Sequence, residues 1–423
     1  MNSPITQAFN LRGSGRTYFD HNATTPLAAE LHPYLTTLLS EWGNPSSIHQ
    51  HGRGPKTLIR EARENFAKLI GCSSLEIIFT SGGSEANNTA LKGFFEAQKS
   101  VWGHDISKWP KRRLITTRLE HPSITKTVEY LRDRGLEVQF LSVGRDGLMN
   151  LDELKELLKT PTALVSVMMA NNEIGSIFPI KEITELSHAA GALVHTDGVQ
   201  ALGKLQVNVR DLGVDYASFS GHKFYSLKGA GALYIKKNTP LVSLIHGGGQ
   251  ERGRRAGTEN TLALAALGFM AKKFSDSVQD LSSDESLTKK SDQMMRLRDY
   301  FEQEIQKRLT GVVINAQNSQ RIPNTSSLLI ENTDGESLLI NLDIEGFSVS
   351  TGAACSSGNP EPSPTLLAIG LSRSEAQSSL RVSFGWSSTR EQVDAFIESL
   401  IKVVQRLRTL RDEYANSKKE EVS

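Results

Sequence analysis

The chain has 423 residues, and its 48 lysines and arginines nearly balance its 47 aspartates and glutamates. This length is enough for a large hydrophobic core and indicates two domains, while the balanced charge argues against a general nucleic-acid or membrane-surface binder. Two cysteines make neither a disulfide framework nor a metal site, so we expect no bound metal. The first residues show no apolar segment of the kind found in secretory signals, and no apolar run reaches about 20 residues. We therefore expect a soluble cytoplasmic protein.

Seven apolar or β-branched runs alternate with helical patterns between about residues 55 and 240. The predicted strands are Glu76–Thr80, Leu114–Thr117, Val138–Val143, Ala163–Met169, Leu193–Thr196, Tyr216–Phe219 and Ala232–Ile235. Helical patterns between them include Leu151–Leu158 and Ile183–Ala190. This alternation predicts an α/β fold in residues 16–271, with a seven-stranded, mostly parallel sheet covered by helices. Since no GxGxxG follows the first strand, a dinucleotide fold is not supported.

The composition changes at about Lys272, where the chain becomes charged and helical. Apolar residues spaced three or four apart from Met294 to Leu309 predict a helix that leads out of the first domain. The later predicted elements are strands at Val312–Asn315, Ser326–Ile330, Phe347–Ser350 and Leu380–Phe384 and a helix from Arg390 to Leu410. They predict a smaller α+β domain over residues 272–415, followed by a disordered tail over residues 416–423.

Two motifs suggest contacts to a charged ligand. The run Phe79-Thr-Ser-Gly-Gly-Ser leads from a strand into a helix, so the amides near Gly83 and Ser84 could bind an anion. An ordinary Gly-Ser turn with an N-cap explains this run equally well. Asp197 follows a predicted strand, where a protonated ring nitrogen could pair with its carboxylate. An N-cap aspartate is the alternative.

Lys223 ends the run Ser220-Gly-His-Lys, which closes a predicted buried strand. A partly desolvated lysine there has a lowered pKa and can form a Schiff base with an aldehyde, although a solvated loop lysine is the ordinary alternative. Ser220 and His222 could contact a phosphate beside it. A phosphate loop, an acid for a ring nitrogen and an imine-forming lysine are the three requirements of pyridoxal phosphate, and together they outweigh the separate alternatives.

Ten motifs in this order resemble those of the cysteine desulfurases, which are class V, fold-type I pyridoxal-phosphate enzymes. They are Tyr18-Phe-Asp-His-Asn-Ala-Thr-Thr-Pro, Asn44-Pro-Ser-Ser-Ile-His, Thr80-Ser-Gly-Gly-Ser-Glu-Ala-Asn-Asn, Glu120-His-Pro-Ser, Asn171-Asn-Glu-Ile-Gly, His195-Thr-Asp-Gly-Val-Gln, Ser220-Gly-His-Lys, Gly247-Gly-Gly-Gln-Glu-Arg-Gly-Arg-Arg-Ala-Gly-Thr, Ala353-Ala-Cys-Ser-Ser-Gly and Leu380-Arg-Val-Ser-Phe-Gly. The likeness runs from about Tyr18 to Leu410. It implies the fold-type I architecture, cysteine desulfurase activity and a homodimer.

The resemblance also implies roles for individual residues around pyridoxal phosphate. Lys223 binds the aldehyde, Asp197 pairs with the pyridine nitrogen, and His121 stacks on the ring and carries protons. The other implied contacts are Gly83, Ser84, Ser220 and His222 at the phosphate, Thr258 at the phosphate of the neighbouring subunit, Gln200 at the phenolic oxygen, Asn172 near cofactor and substrate, and Arg381 at the substrate carboxylate. From the residues alone, His121 could be a turn residue, Arg381 a structural ion pair, and Gln200 and Asn172 turn caps.

Cys355 decides the reaction that the resemblance implies. It lies in a stretch of small residues and prolines that cannot form a long helix or an interior strand, unlike Cys72, which is best interpreted as an apolar filler or an unimportant loop thiol. In the family, this thiolate takes the sulfur of L-cysteine as a persulfide, alanine is released, and the sulfur passes to an iron–sulfur scaffold or a sulfur carrier. The long form of the loop resembles the housekeeping and nitrogen-fixation branch.

Other functions remain as alternatives. A selenocysteine lyase or another class V aminotransferase would share the cofactor, and a non-catalytic scaffold would share the fold. His246-Gly-Gly-Gly resembles the oxyanion-hole motif of α/β-hydrolases, but Gly82-Gly-Ser-Glu-Ala lacks the last glycine of a nucleophile elbow, so that function is rejected.

Overall fold

The structure is a computed structural model that describes residues 15–279, 286–351 and 361–422. Its strands are β1 (Thr17–Tyr18), β2 (Ile77–Thr80), β3 (Arg113–Thr117), β4 (Glu137–Leu141), β5 (Thr162–Ser166), β6 (Leu193–Asp197), β7 (Tyr216–Ser220), β8 (Gly231–Ile235), β9 (Val312–Ile314), β10 (Thr325–Ile330), β11 (Phe347–Ser348) and β12 (Ser379–Ser383). Its α-helices are α1 (Leu31–Leu38), α2 (Gln50–Ile70), α3 (Gly83–Trp102), α4 (Pro122–Arg132), α5 (Leu151–Leu158), α6 (Ile180–Ala189), α7 (Val209–Leu212), α8 (Thr261–Gln279), α9 (Leu287–Arg308), α10 (Gly335–Ile344), α11 (Pro364–Ala368), α12 (Arg373–Gln377) and α13 (Arg390–Val422). None of the described helices combines the length and apolar character needed to cross a membrane.

Seven strands form one mixed sheet in the order β2-β8-β7-β6-β5-β3-β4. The five strands from β7 to β4 in this order are parallel, and β8 runs antiparallel to both β2 and β7. This confirms the predicted seven-stranded, mostly parallel sheet. The carboxyl ends of β6 and β7 lie side by side, and these strands end at Asp197 and Ser220.

Alternate residues of the sheet pack against helices on its two faces. In β2, Ile77 and Phe79 belong to one hydrophobic cluster and Ile78 to another, as the two-residue period of a strand requires. In the first cluster, α8 packs closely on α2. Glycine at position 268 allows this approach, since a Cβ there would lie 2.3 Å from the Cα of Ala62. Burial on both faces explains why the strands are nearly continuous apolar runs.

A second layer is built from the C-terminal part of the chain and one N-terminal strand. β12, β10 and β9 form an antiparallel sheet, and α9, α10 and α13 pack with it around Phe301 and Phe396. Phe19 is fully buried in this cluster, and β1 pairs with β11 in parallel. The N-terminal segment therefore packs with the C-terminal layer, although the sequence predicts it as part of the large domain.

Helix bounds differ from those expected at two places. α8 runs through the predicted boundary at 271/272, with Ala271 and Phe274 buried in the cluster of the large sheet. α13 continues to Val422, past the expected end at Leu410 and through most of the segment expected to be a disordered tail, because residues such as Lys and Glu favour continuation of a helix. The division into domains of residues 16–271 and 272–415 stays a prediction.

Candidate active site

A cavity of about 350 Å³ opens at the carboxyl edge of the large sheet. Its lining residues are Asn22, Ala23, Gly83, Ser84, Asn87, His121, Ser123, Met168, Asn172, Asp197, Val199, Gln200, Ser220, His222, Lys223 and Arg381. Its volume lies within the range of small-molecule sites, and in α/β sheets such sites lie beyond the carboxyl ends of the strands. Apart from Thr258 and Cys355, every residue that the sequence predicts for the site lines this cavity.

Lys223 follows β7 in a single 3₁₀ turn that begins at Gly221. Its Nζ donates hydrogen bonds to the backbone carbonyls of Asn22, at 2.5 Å, and Ala23, at 2.7 Å. Burial lowers the pKa of Lys223 to about 8, and the charge of Arg381 acts in the same direction. A lysine with this pKa is partly unprotonated near neutral pH, which is the state that attacks an aldehyde.

Asp197 is buried at the end of β6. Its Oδ1 accepts the backbone N–H of Val199 at 2.9 Å, and its Oδ2 accepts Asn87 Nδ2 at 2.7 Å. Both donors are neutral, and within the described ranges no lysine or arginine forms an ion pair with this carboxylate. A buried carboxylate in this setting favours a cationic group in the cavity beside it.

His121 caps the N-terminus of α4 at the cavity wall. Its Nδ1 accepts the backbone N–H of Ser123 at 3.1 Å, so the neutral ring carries its proton on Nε2. Burial lowers the pKa of His121, and the charge of Asp197 partly opposes this effect while that of Lys223 adds to it. His121 can therefore donate a proton from Nε2 within the cavity.

The N-terminus of α3 forms one end of the cavity. The first amides of a helix, here those of Gly83 and Ser84, have no intrahelical partner and carry the positive end of its dipole. A Cβ at Gly83 would lie 2.7 Å from Val199 Cγ2, so glycine lets the start of α3 pack closely against Val199 in the cavity wall. Ser220 lies beside this helix start, with its Cβ 3.6 Å from the position of a Cβ at Gly83. His222 also lines the cavity, and burial lowers its pKa to about 4. This end of the cavity can bind an anion.

Arg381 reaches the cavity from β12, in the second layer. Its Nη2 pairs with Asp20 Oδ1 at 2.7 Å, and its Nη1 donates to the carbonyl of Asn172 at 3.1 Å. The buried Nε has no hydrogen-bond partner among the described atoms. The guanidinium thus keeps donor capacity for a carboxylate in the cavity.

The sequence did not identify the roles of Asn22 and Asn87. The carbonyl of Asn22 accepts from Gln200 Nε2 at 3.0 Å as well as from Lys223, and Asn22 Nδ2 donates to the carbonyl of Asn172 at 3.0 Å. Asn87 contacts Asp197, as described above. The sequence spacing could have indicated Asn87, because it lies four residues after Gly83 and therefore on the same face of α3. For Asn22 the sequence offered only its position in the motif that begins at Tyr18.

The structure does not bring every predicted residue to the cavity. Thr258 is exposed and lies outside the cavity lining, and its contact with a neighbouring subunit stays a prediction. Cys355 lies outside the described residues.

Cys72 is half-buried, and burial raises the pKa of its thiol to about 12, so it is a poor nucleophile. Among the described residues, no group of three or more His, Cys, Asp or Glu could hold a metal ion.

Comparisons with known proteins agree with this geometry. The family described as "Aminotransferase class-V" matches residues 17–396. The chain is 42% identical over 394 residues to "Cysteine desulfurase IscS" of Dictyoglomus turgidum, covering 93% of this chain and 95% of that protein. It is 39% identical to "Cysteine desulfurase 1" of Trichormus variabilis, covering 93% and 94% of the two chains.

Solved structures give the same result. A "NIFS-LIKE PROTEIN" matches with a TM-score of 0.82 and 33% identity, covering 92% of this chain and 99% of that one. A NifS-like protein from Rickettsia africae matches with a TM-score of 0.80 and 32% identity, covering 92% and 99%. The chain therefore belongs to the class-V aminotransferase family.

Proposed function

We propose that this protein is a pyridoxal-phosphate-dependent cysteine desulfurase, which converts L-cysteine to L-alanine and passes the sulfur on through Cys355. The observation that carries the proposal is the meeting of Lys223, Asp197 and the N-terminus of α3 in one cavity. The names of the relatives supply the substrate.

The described residues fit pyridoxal phosphate. Asp197 offers a buried carboxylate without a cation, the amides of Gly83 and Ser84 offer unpaired donors for a phosphate, and the lowered pKa of Lys223 suits an amine that binds an aldehyde. Gln200 lines the wall where it can donate to the phenolic oxygen, and His121 lies where it can stack on the ring. When bound, the cofactor acts as an electron sink for the substrate carbon.

The chain's own residues bind the substrate and move its protons. Arg381 and Asn172 orient the substrate carboxylate at the mouth of the cavity, with the Arg381 guanidinium held by Asp20. Lys223 Nζ accepts the proton from the substrate α-carbon, and His121 Nε2 holds or donates a proton near the substrate sulfur. Desolvation lowers the pKa of both groups, that of Lys223 to about 8, and this favours the unprotonated amine and imidazole that can accept a proton.

Cys355 takes the sulfur. Its thiolate attacks the substrate sulfur, a new S–S bond forms, and the C–S bond breaks with its electron pair left on the substrate carbon. That carbon then takes a proton, and alanine leaves. The resulting persulfide passes its outer sulfur to an acceptor protein, an iron–sulfur scaffold or a sulfur carrier in the cytoplasm. The enzyme acts as a homodimer in which Thr258 reaches the phosphate of the neighbouring subunit.

Replacing each cysteine tests this function. With L-cysteine as substrate, Cys355→Ser should keep the near-visible absorbance of the bound cofactor but lose persulfide, sulfide and alanine formation. Cys72→Ser is the matched control, and it should keep both because the Cys72 thiol is a poor nucleophile. Full alanine formation by Cys355→Ser would contradict the proposal. Measuring the activity with cysteine, selenocysteine and alanine as alternative substrates separates a desulfurase from a selenocysteine lyase or an aminotransferase.

A further inference from the structure

Lys204 is a buried lysine next to the cavity for which the proposed function has no use. It is 5% exposed and lies between β6 and α7. Its Nζ donates to Gln200 Oε1 at 2.6 Å and to Asn22 Oδ1 at 2.9 Å. Both acceptors are neutral carboxamides, and among the described residues no carboxylate forms an ion pair with Lys204.

The charged surroundings make this burial unfavourable. Lys223 and Arg381 are the cations whose charges act on Lys204, and burial together with these two charges lowers its pKa well below the usual value. The neighbouring His21 has its own pKa lowered to about 4, by burial and by the charge of Lys204. An apolar side chain of the same length would avoid the cost of burying an amine, so the amine itself must contribute something other than packing.

The hydrogen bonds indicate what the amine does. Gln200 Oε1 is held by Lys204, which turns the other end of the carboxamide, Nε2, towards the carbonyl of Asn22. That carbonyl also accepts the hydrogen bond from Lys223 Nζ, so Gln200 Nε2 lies beside the proposed cofactor-binding amine. If Gln200 flipped, its oxygen would face the Asn22 carbonyl, which is unfavourable, and the hydrogen bond from Lys204 Nζ to Gln200 Oε1 would be lost.

We propose that Lys204 is a positioning residue that fixes the Gln200 carboxamide with its nitrogen towards the cavity, so that Gln200 is a hydrogen-bond donor to the phenolic oxygen of the bound ring. The inference rests on the proposed function. A donor at this oxygen stabilises its negative charge and makes the neighbouring nitrogen less basic. Without Lys204, one of the two contacts that hold the carboxamide is lost. Gln200 then donates less effectively to the phenolic oxygen, and the nitrogen of the bound cofactor becomes more basic.

The test uses the holoenzyme and follows the near-visible absorbance of the bound cofactor as a function of pH. Lys204→Met keeps the length of the side chain and removes the amine. We expect its titration midpoint to lie about one pH unit above that of the wild type. Lys155→Met, at an exposed pair with Asp152, is the matched control and should keep the wild-type midpoint.

A double variant separates an effect through Gln200 from a direct effect of charge. In a Gln200→Leu background, adding Lys204→Met should shift the midpoint no further. An unchanged midpoint in Lys204→Met, or a shift of the same size with and without Gln200, would overturn the inference. Lys204→Gln, which still offers an amide donor to Gln200, should keep most of the wild-type midpoint, and it tests the inference even if Lys204→Met does not fold. A wild-type protein without the near-visible band would instead contradict the proposed function.

Discussion

Asn87 and Asp197 are joined in the wall of the cavity, where Asn87 Nδ2 donates to Asp197 Oδ2 at 2.7 Å. The backbone N–H of Val199 holds the other carboxylate oxygen. These two bonds fix the orientation of the carboxylate, and both of its donors within the described part of the chain are neutral. This arrangement suits a cationic ring nitrogen in the cavity.

Asp197→Asn should impair the reaction more than the fold. The amide has the shape of the carboxylate but lacks its charge, so it cannot stabilise a protonated ring nitrogen. We expect alanine formation to fall by about 100-fold or more, which is typical for the loss of an electrostatic contact in an active site. Asp152→Asn, at an exposed position in α5, is the control and should leave the rate unchanged. A near-normal rate in Asp197→Asn would refute the assigned role.

Arg381→Lys should weaken the binding of the substrate. A lysine keeps the charge but cannot reach Asp20, the carbonyl of Asn172 and a substrate carboxylate together. The loss of a charge-assisted hydrogen bond predicts that KM for cysteine rises roughly 10- to 100-fold, with a smaller change in kcat. Steady-state kinetics measures both, with Arg373→Lys at an exposed ion pair as the control. If KM does not change, Arg381 is a structural ion pair.

The rate at which cofactor-free protein binds pyridoxal phosphate should depend on pH through Lys223. Only the unprotonated amine attacks the aldehyde, so the rate rises as Lys223 loses its proton. Because burial lowers the pKa of Lys223 from 10.5 to about 8, the rate should reach half of its maximum near pH 8 and level off about one pH unit higher. Stopped-flow absorbance measures this dependence. A rate that keeps rising to pH 10 would show that the amine is not desolvated.

His195 should contribute to the loss of stability in acid. It is fully buried between Ser166 and Ser218, and burial lowers its pKa to about 3. Between about pH 6.5 and 3 the unfolded chain binds a proton at this histidine that the folded protein does not, so the free energy of unfolding falls as the pH falls. His195→Gln should reduce this slope by up to about 1.4 kcal/mol per pH unit.

Urea unfolding of the cofactor-free protein between pH 4 and 7 measures the slope. His104→Gln, at an exposed position, is the control and should keep the wild-type slope. An unchanged slope in His195→Gln would mean that His195 is protonated in the folded protein.

The sequence predicted the elements that have strong local patterns. The helix at Leu151–Leu158 has the predicted bounds, and the seven strands of the large sheet lie within a few residues of the predicted ones. The pairing of β1 with β11 could not be predicted, because it joins segments about 330 residues apart and each is only two residues long. Short strands of this kind depend on tertiary packing, here the burial of Phe19.

The site was predictable where residues belong to motifs and unpredictable where they act through other residues. Lys223, Asp197 and Arg381 come from distant motifs, and the cavity brings them together. Lys204 makes its contacts through two carboxamides, and no residue pattern indicates that kind of contact. The roles assigned to Thr258 and Cys355 stay predictions, since they depend on a second subunit and on a segment outside the described residues.

The covalent attachment of pyridoxal phosphate to Lys223 is the central claim, and peptide mass spectrometry after borohydride reduction tests it most directly. The protein is first incubated with the cofactor, and its near-visible absorbance is recorded. We expect one pyridoxyl adduct, on the peptide that contains Lys223, and neither band nor adduct in Lys223→Ala. A protein without an adduct, or with the adduct on Lys204, would contradict the account.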